Sequence, residues 1–250
     1  MKNKPNIQLT KRDLQIFHIL NEIGFCKSDT IGKIVSPDTL HRTFILRLSM
    51  LKKTGFIKEL GAKERNRNQY GVYLLNNNKD NLKKIKNETG IDLTPSFYTT
   101  SFTLYNHQIL LGKLFLVLLN RIRSKNKEFT PKNDDIIGTK TFQRKAQEEK
   151  ESLKEYSDFT IPIPDLVLQH GDTVFCLELE NTNSYNQFLE KILVYRTLLL
   201  ENKQDNFFSL FKNKNIFLVI ACWSHKTEKY KQILEENYTG KYLLIDIESL

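Results

Sequence analysis

Asp165, Glu178 and Glu180 are the residues of this chain best placed by type and spacing to do chemistry. Asp165 ends Ile-Pro-Ile-Pro-Asp and opens the apolar run Leu-Val-Leu; Glu178 and Glu180 close Thr-Val-Phe-Cys-Leu-Glu-Leu-Glu. Side chains two apart on a strand leave the same face, so the two glutamates point the same way. Gly171-Asp172 lies between the two runs and reads as a tight turn, which folds them into a hairpin. Asp165 is then carried toward the glutamates. Three gathered carboxylates repel one another and raise each other's proton affinity, and a divalent cation relieves that repulsion. A cation so held can activate water and polarise an acceptor.

The elements that must position this set are predicted over residues 98–250. A helix spans about 104–123, with an apolar stripe through Leu110, Leu111, Leu114, Val117 and Leu118. Residues 124–157 are highly charged and poor in core candidates after Ile137, which predicts a mobile excursion. The hairpin follows, then a helix over about 184–200, a strand at 216–221, a helix over about 226–237 and a last strand at 242–246. Strands and helices in that order predict a mixed α/β (α+β) sheet domain.

Residues 1–78 read as a winged helix-turn-helix. Thr10 is an N-cap with Asp13 at the third helical position. Apolar residues from Leu14 to Ile23 then recur at helical spacing, and Gly24 stops the helix. A short second helix passes through Ile31, Ile34 and Val35. A third runs from about Asp38 to Lys53, and two strands near 56–60 and 70–75 flank a polar loop. Such a unit places its third helix in the major groove of double-stranded DNA. His41, Arg42, Arg47, Lys52 and Lys53 lie off that helix's apolar stripe, and the wing tip offers Lys63, Arg65 and Arg67 to phosphates. Residues 79–97 read as a linker, with a turn-prone Asn76-Asn77-Asn78 before them.

Charge supports this division. The chain of 250 residues carries a formal net charge of +9. Residues 1–95 hold 18 Lys and Arg against 9 Asp and Glu, while the remainder is balanced at 20 against 20. A basic module joined to a neutral one points to a polyanion, nucleic acid above all. Cys26, Cys176 and Cys222 lie far apart in apolar contexts, as buried thiols of a reducing cytosol do, and no zinc spacing is present. No leader and no apolar run long enough to span a bilayer is evident, so the expected setting is cytoplasmic, away from membranes. No GxxxxGK[ST], GxSxG or HExxH motif occurs, and the five histidines are scattered.

Pro164-Asp165, the hairpin, Glu178-Leu179-Glu180 and the following helix resemble the core of the PD-(D/E)xK nuclease fold. That resemblance implies Mg2+ or Mn2+ held by the Asp and the first acidic residue of the second motif. Glu180 stands where that motif usually has Lys. A lysine relocated to the next helix is known within the fold, and Lys191 matches it, with Gln187 one turn before and Tyr195 one turn after. The implied catalytic group is Asp165, Glu178, Glu180 and Lys191, with the three carboxylates on the metal.

A narrower similarity covers about residues 8–247. A winged helix, a helix carrying His107, Pro164-Asp165-Leu166-Val167-Leu168, Phe175 to Thr182 and Lys191-Ile192-Leu193-Val194-Tyr195-Arg196 resemble the plasmid replication-relaxation family, with its MobC-type relaxases. It implies a metal-dependent DNA-nicking endonuclease acting at a plasmid transfer or replication origin, among relaxosome proteins. The alternative is a non-catalytic DNA-binding protein, a relaxosome accessory or a replication or transcription regulator. In it a degenerate nuclease fold would serve for partner docking or as a homodimer platform.

Overall fold

The computed structural model describes residues 7–38, 41–60, 71–90, 93, 102–152, 161–180, 184–201 and 208–250. They form a mixed α and β structure with two sheets, of three and five strands. Two compact units divide the chain, Met1–Asn133 and Asp134–Leu250. Among the described residues no helix is long and apolar enough to cross a membrane.

The first unit opens with α1 (Lys11–Ile23), fixed at its start by reciprocal capping. Asp13 N donates to Thr10 Oγ1 at 3.3 Å, and Thr10 N donates to Asp13 Oδ2 at 2.7 Å. Gly24, at φ 93, ends the helix in a conformation that a Cβ disfavours. The two-residue strand β1 (Cys26–Lys27), α2 (Ser28–Val35) and α3 (His41–Thr54) follow. Phe44, Leu48, Leu51 and Thr54 are the inward stripe of α3. Gly32 on α2 lets the two helices close up: a Cβ there would meet the Phe44 ring at 3.1 Å. Strands β2 (Ile57–Glu59) and β3 (Val72–Leu75) pair antiparallel, and β1 adds to β3, giving the order β1-β3-β2. The short β1 has no counterpart in the sequence pattern, because two residues are too few to show alternation.

The expected linker at 79–97 contains a docked helix, α4 (Lys79–Thr89), capped by Asn78. Ile85 is buried, and Asn81 Nδ2 donates to the Gly55 carbonyl at 2.6 Å. The long helix, α5 (Phe102–Lys125), also belongs to the first unit rather than to the sheet domain expected over 98–250. Its apolar stripe packs on α1, α2 and β1. Gly112 admits Cys26, whose Sγ would lie 3.2 Å from an added Cβ. Arg123 donates to the carbonyls of Lys33 and Ile34 at 2.8 and 2.7 Å, satisfying the last turn of α2. His107, on α5, is therefore a residue of the first unit.

The second unit is the five-stranded sheet, ordered β4-β5-β6-β7-β8. Its strands are β4 (Ile136–Gly138), β5 (Leu166–His170), β6 (Thr173–Glu180), β7 (Asn215–Cys222) and β8 (Lys241–Asp246). Strands β4, β5 and β6 pair antiparallel; β6, β7 and β8 run parallel. Helices α7 (Tyr185–Glu201) and α8 (Ser224–Asn237) make the two parallel crossovers. Phe188, Ile192, Tyr195 and Leu198 of α7 and Tyr230, Ile233 and Leu234 of α8 share one core with Val174, Cys176, Leu218 and Ile220 of the sheet. Phe188 and Tyr230 stack at 3.9 Å between centroids. The segment expected as an excursion is instead structural: β4 is an edge strand, and α6 (Thr139–Ser152) buries Phe142 in the same core.

Candidate active site

The hairpin forms as the sequence predicts, with His170 opposite Thr173 across a two-residue turn. Gly171 has φ 58, and among the described non-glycine residues only Asn213 has a positive φ. Positive φ at the first turn position alone is the type II′ geometry, which follows the twist of the strands. The register sets Leu166 against Leu177, so Asp165, one residue earlier, stands beside Glu178. The Thr139 hydroxyl lies within hydrogen-bond reach of the carbonyls of Pro164, at 3.1 Å, and Asp165, at 3.0 Å, and clamps this backbone to the start of α6.

Glu178 and Glu180 occupy the last residues of β6 on the face covered by α7. Glu178 is 1% exposed and Glu180 0%. Isolated carboxylates are not tolerated at such depth, so they need partners. Lys191 supplies one for both. Its Nζ donates to Glu178 Oε2 at 2.9 Å and also to Glu180 Oε1. Tyr195, one turn further along α7, donates its hydroxyl to Glu178 Oε1 at 2.6 Å. Positions four apart on a helix lie one above the other, which is why both groups reach the same glutamate. The hydroxyl of Tyr195 is the member of the site that the sequence reading leaves without a role; its spacing from Lys191 is the signal that points to it.

The electrostatics follow from burial and crowding. Burial, reinforced by the neighbouring Asp165 and Glu180 carboxylates, pushes the Glu178 carboxyl up to about 7 against the downward pull of Lys191 and the Tyr195 hydroxyl. Burial alone would lower the Lys191 ammonium, but Glu178, Glu180 and Asp165 overcome this and hold it above its ordinary range. Tyr195 is held well above its ordinary value, first by burial and then by Glu178, so it acts as a proton donor to that carboxylate.

Asp165 uses Oδ2 to accept the Leu179 backbone N–H at 2.8 Å. Strand β5 begins only at Leu166, so this N–H would otherwise lack a strand partner. The carboxylates supply the hard oxygen donors that Mg2+ and Mn2+ take, and the donor chemistry fits such an ion. The arrangement differs from the expected three-carboxylate cage. Among the described residues no group of three His, Cys, Asp or Glu side chains is placed to hold a metal. The lysine ammonium instead stands as the cation between two of the acids.

The basic residues expected to meet DNA fare differently. His41, Arg42, Lys52 and Lys53 are exposed on α3, with Lys52 Nζ bonded to Glu59 at 2.6 Å. Arg47 is turned inward: Nε donates to Asp13 Oδ1 at 2.9 Å and a terminal nitrogen to the Gln8 carbonyl at 2.9 Å. Burial would raise the Asp13 carboxyl, but bonds from Arg47 and Thr10 hold it below its ordinary value. Arg47 is thus a structural partner, and Arg47→Ala lowers the unfolding free energy by about 2 kcal/mol in urea titration by stranding Asp13. Unchanged stability with weakened DNA binding would return Arg47 to the DNA surface. Lys63, Arg65 and Arg67 lie outside the described residues.

No family model matches the chain, and no curated protein or solved structure matches it either.

Proposed function

We propose that this protein is a metal-dependent DNA endonuclease of the relaxase-like kind, with a winged-helix front unit that selects the site and a PD-(D/E)xK-like sheet domain that nicks one strand. The observation that carries this reading is the contact of Lys191 with both Glu178 and Glu180, beside Asp165, at one end of the sheet. A hairpin followed by a parallel crossover, with its acids at the strand ends and a lysine reaching them from the crossover helix, is the order the nuclease resemblance implies. The unbalanced positive charge of residues 1–95 supports DNA as the substrate. A plasmid transfer or replication origin is the target the family resemblance suggests.

Once the Lys191 ammonium is displaced from between Glu178 and Glu180, these acids and Asp165 would hold Mg2+ or Mn2+, which would supply Lewis-acid polarisation of a phosphate and a more acidic bound water. Lys191 brings positive charge to the position where the phosphate accumulates negative charge. Tyr195 fixes the orientation of Glu178 through its hydroxyl, and Thr139 fixes the backbone that carries Asp165. Neither of these two touches substrate in this scheme; both position residues that do.

One observation favours a second reading, a DNA-binding regulator with a retired site. Both oxygens of Glu178 are engaged, and Asp165 is used on the Leu179 backbone N–H near the end of β6. Supercoiled plasmid incubated with Mn2+ or Mg2+ separates the two. The endonuclease converts it to open circles, and Asp165→Ala and Glu178→Ala abolish the conversion while circular dichroism shows a folded chain. Tight DNA binding without nicking under either metal would establish the regulator.

A further inference from the structure

Two large apolar residues on α3 face water. Leu46 is 59% exposed and Met50 44% exposed, whereas Phe44, Leu48 and Leu51 on the opposite side are 2% exposed or less. They lie four apart, so they share one face of the helix. Arg42 lies four residues before Leu46 and Lys53 three after Met50, and both are exposed. The outward face therefore reads cation, apolar, apolar, cation along its length.

We infer that this stripe reads thymine in the major groove, with Leu46 and Met50 packing on C5-methyl groups while Arg42 and Lys53 meet phosphates or purine edges. The inference rests on the winged-helix DNA reading and adds to it a preference for adenine–thymine sequence. Single exposed leucines are ordinary, but a paired apolar strip on an otherwise polar helix face has a contact to make. The thymine methyl is the apolar group that the major groove displays. The flanking charges choose the partner: two copies of this chain meeting through a twofold axis at this stripe would set cations against cations, whereas DNA offers phosphates on both sides of the groove. Double-stranded RNA fits poorly, because its major groove is too deep and narrow for a helix.

Duplex poly(dA-dT) and poly(dA-dU) differ only by the methyl group, and fluorescence anisotropy of the full chain on each tests the assignment. The expected result is about tenfold tighter binding to the thymine duplex, the effect of burying two methyl groups. A Leu46→Ser/Met50→Ser variant, changed only at exposed positions, should bind both duplexes with the affinity the wild type shows for the uracil one. Equal wild-type binding to both duplexes overturns the inference while leaving DNA binding intact, as does a preference that survives in the variant. No binding to either duplex removes the winged-helix reading itself. Concentration-dependent self-association in sedimentation, lost in the variant, would reassign the stripe to contact between copies.

Discussion

Lys191→Met lowers the unfolding free energy by about 3–5 kcal/mol at neutral pH, because it leaves two buried carboxylates without their counter-charge. Methionine keeps much of the stem packing, so the loss reports charge rather than volume. A loss of this size is a large fraction of a typical domain's stability. Urea unfolding followed by circular dichroism measures it. Acidification softens the deficit, since protonated carboxyls no longer repel. Millimolar Mn2+ should stabilise the variant more than the wild type, because the ion then has no ammonium to displace. Free ion at a hundred times its dissociation constant would add about 2.7 kcal/mol. Wild-type stability in the variant at pH 8 would show that the ion pairs contribute nothing net. An equal response to Mn2+ in both chains would remove the carboxylates as a metal site.

Glu178→Gln changes how stability depends on pH. In the native chain the Glu178 carboxyl is pushed up to about 7 from an ordinary value of 4.5. The folded state therefore holds this proton more tightly than the unfolded chain does. Its contribution is complete below about 4.5 and is lost as pH rises toward 7, so stability falls with rising pH in that window. The full effect is about 3 kcal/mol. The amide introduced by this substitution could still accept the Tyr195 hydroxyl but would not titrate. The difference between wild type and variant should thus move in the variant's favour by about that amount between pH 4.5 and 7.5. Denaturant titrations across this range measure it, and parallel profiles for the two chains would refute the burial account. Asp13 acts in the opposite sense: its carboxyl is held below its ordinary value, so its contribution is present at neutral pH and lost on acidification.

What can be read from the sequence is local. The Thr10–Asp13 cap, the Gly171-Asp172 turn and the two-residue spacing of Glu178 and Glu180 all concern neighbours in the chain, and the structure carries each of them. Lys191 is legible because the nuclease resemblance draws attention to a helix lysine, and its contacts with both glutamates place it beside them. What cannot be read is which surface covers which. The apolar stripe of α5 announces a buried face but not its partner, so the sequence pattern assigns the helix to the wrong unit. Arg47 sits off the apolar stripe of α3 and so looks like a surface cation; its partner Asp13 is 34 residues away. Strand β4 has three residues, too few for alternation to be detected beside so many charges. Asp165 accepts the Leu179 N–H because β5 starts one residue after it, a consequence of strand lengths that no local pattern encodes.

Gly32 has an effect beyond its own turn. With the Phe44 ring 3.1 Å from where a methyl would stand, the separation of α2 and α3 depends on the absence of one carbon. An added methyl there requires the ring, itself packed in the core, to give by a few tenths of an ångström, and a larger side chain requires more. The aim of the exposed stripe is therefore set from behind, by a position that never meets solvent on that face. If that stripe reads DNA as proposed, descendants of this chain could retune its target by repacking this joint while every outward-facing residue stays the same.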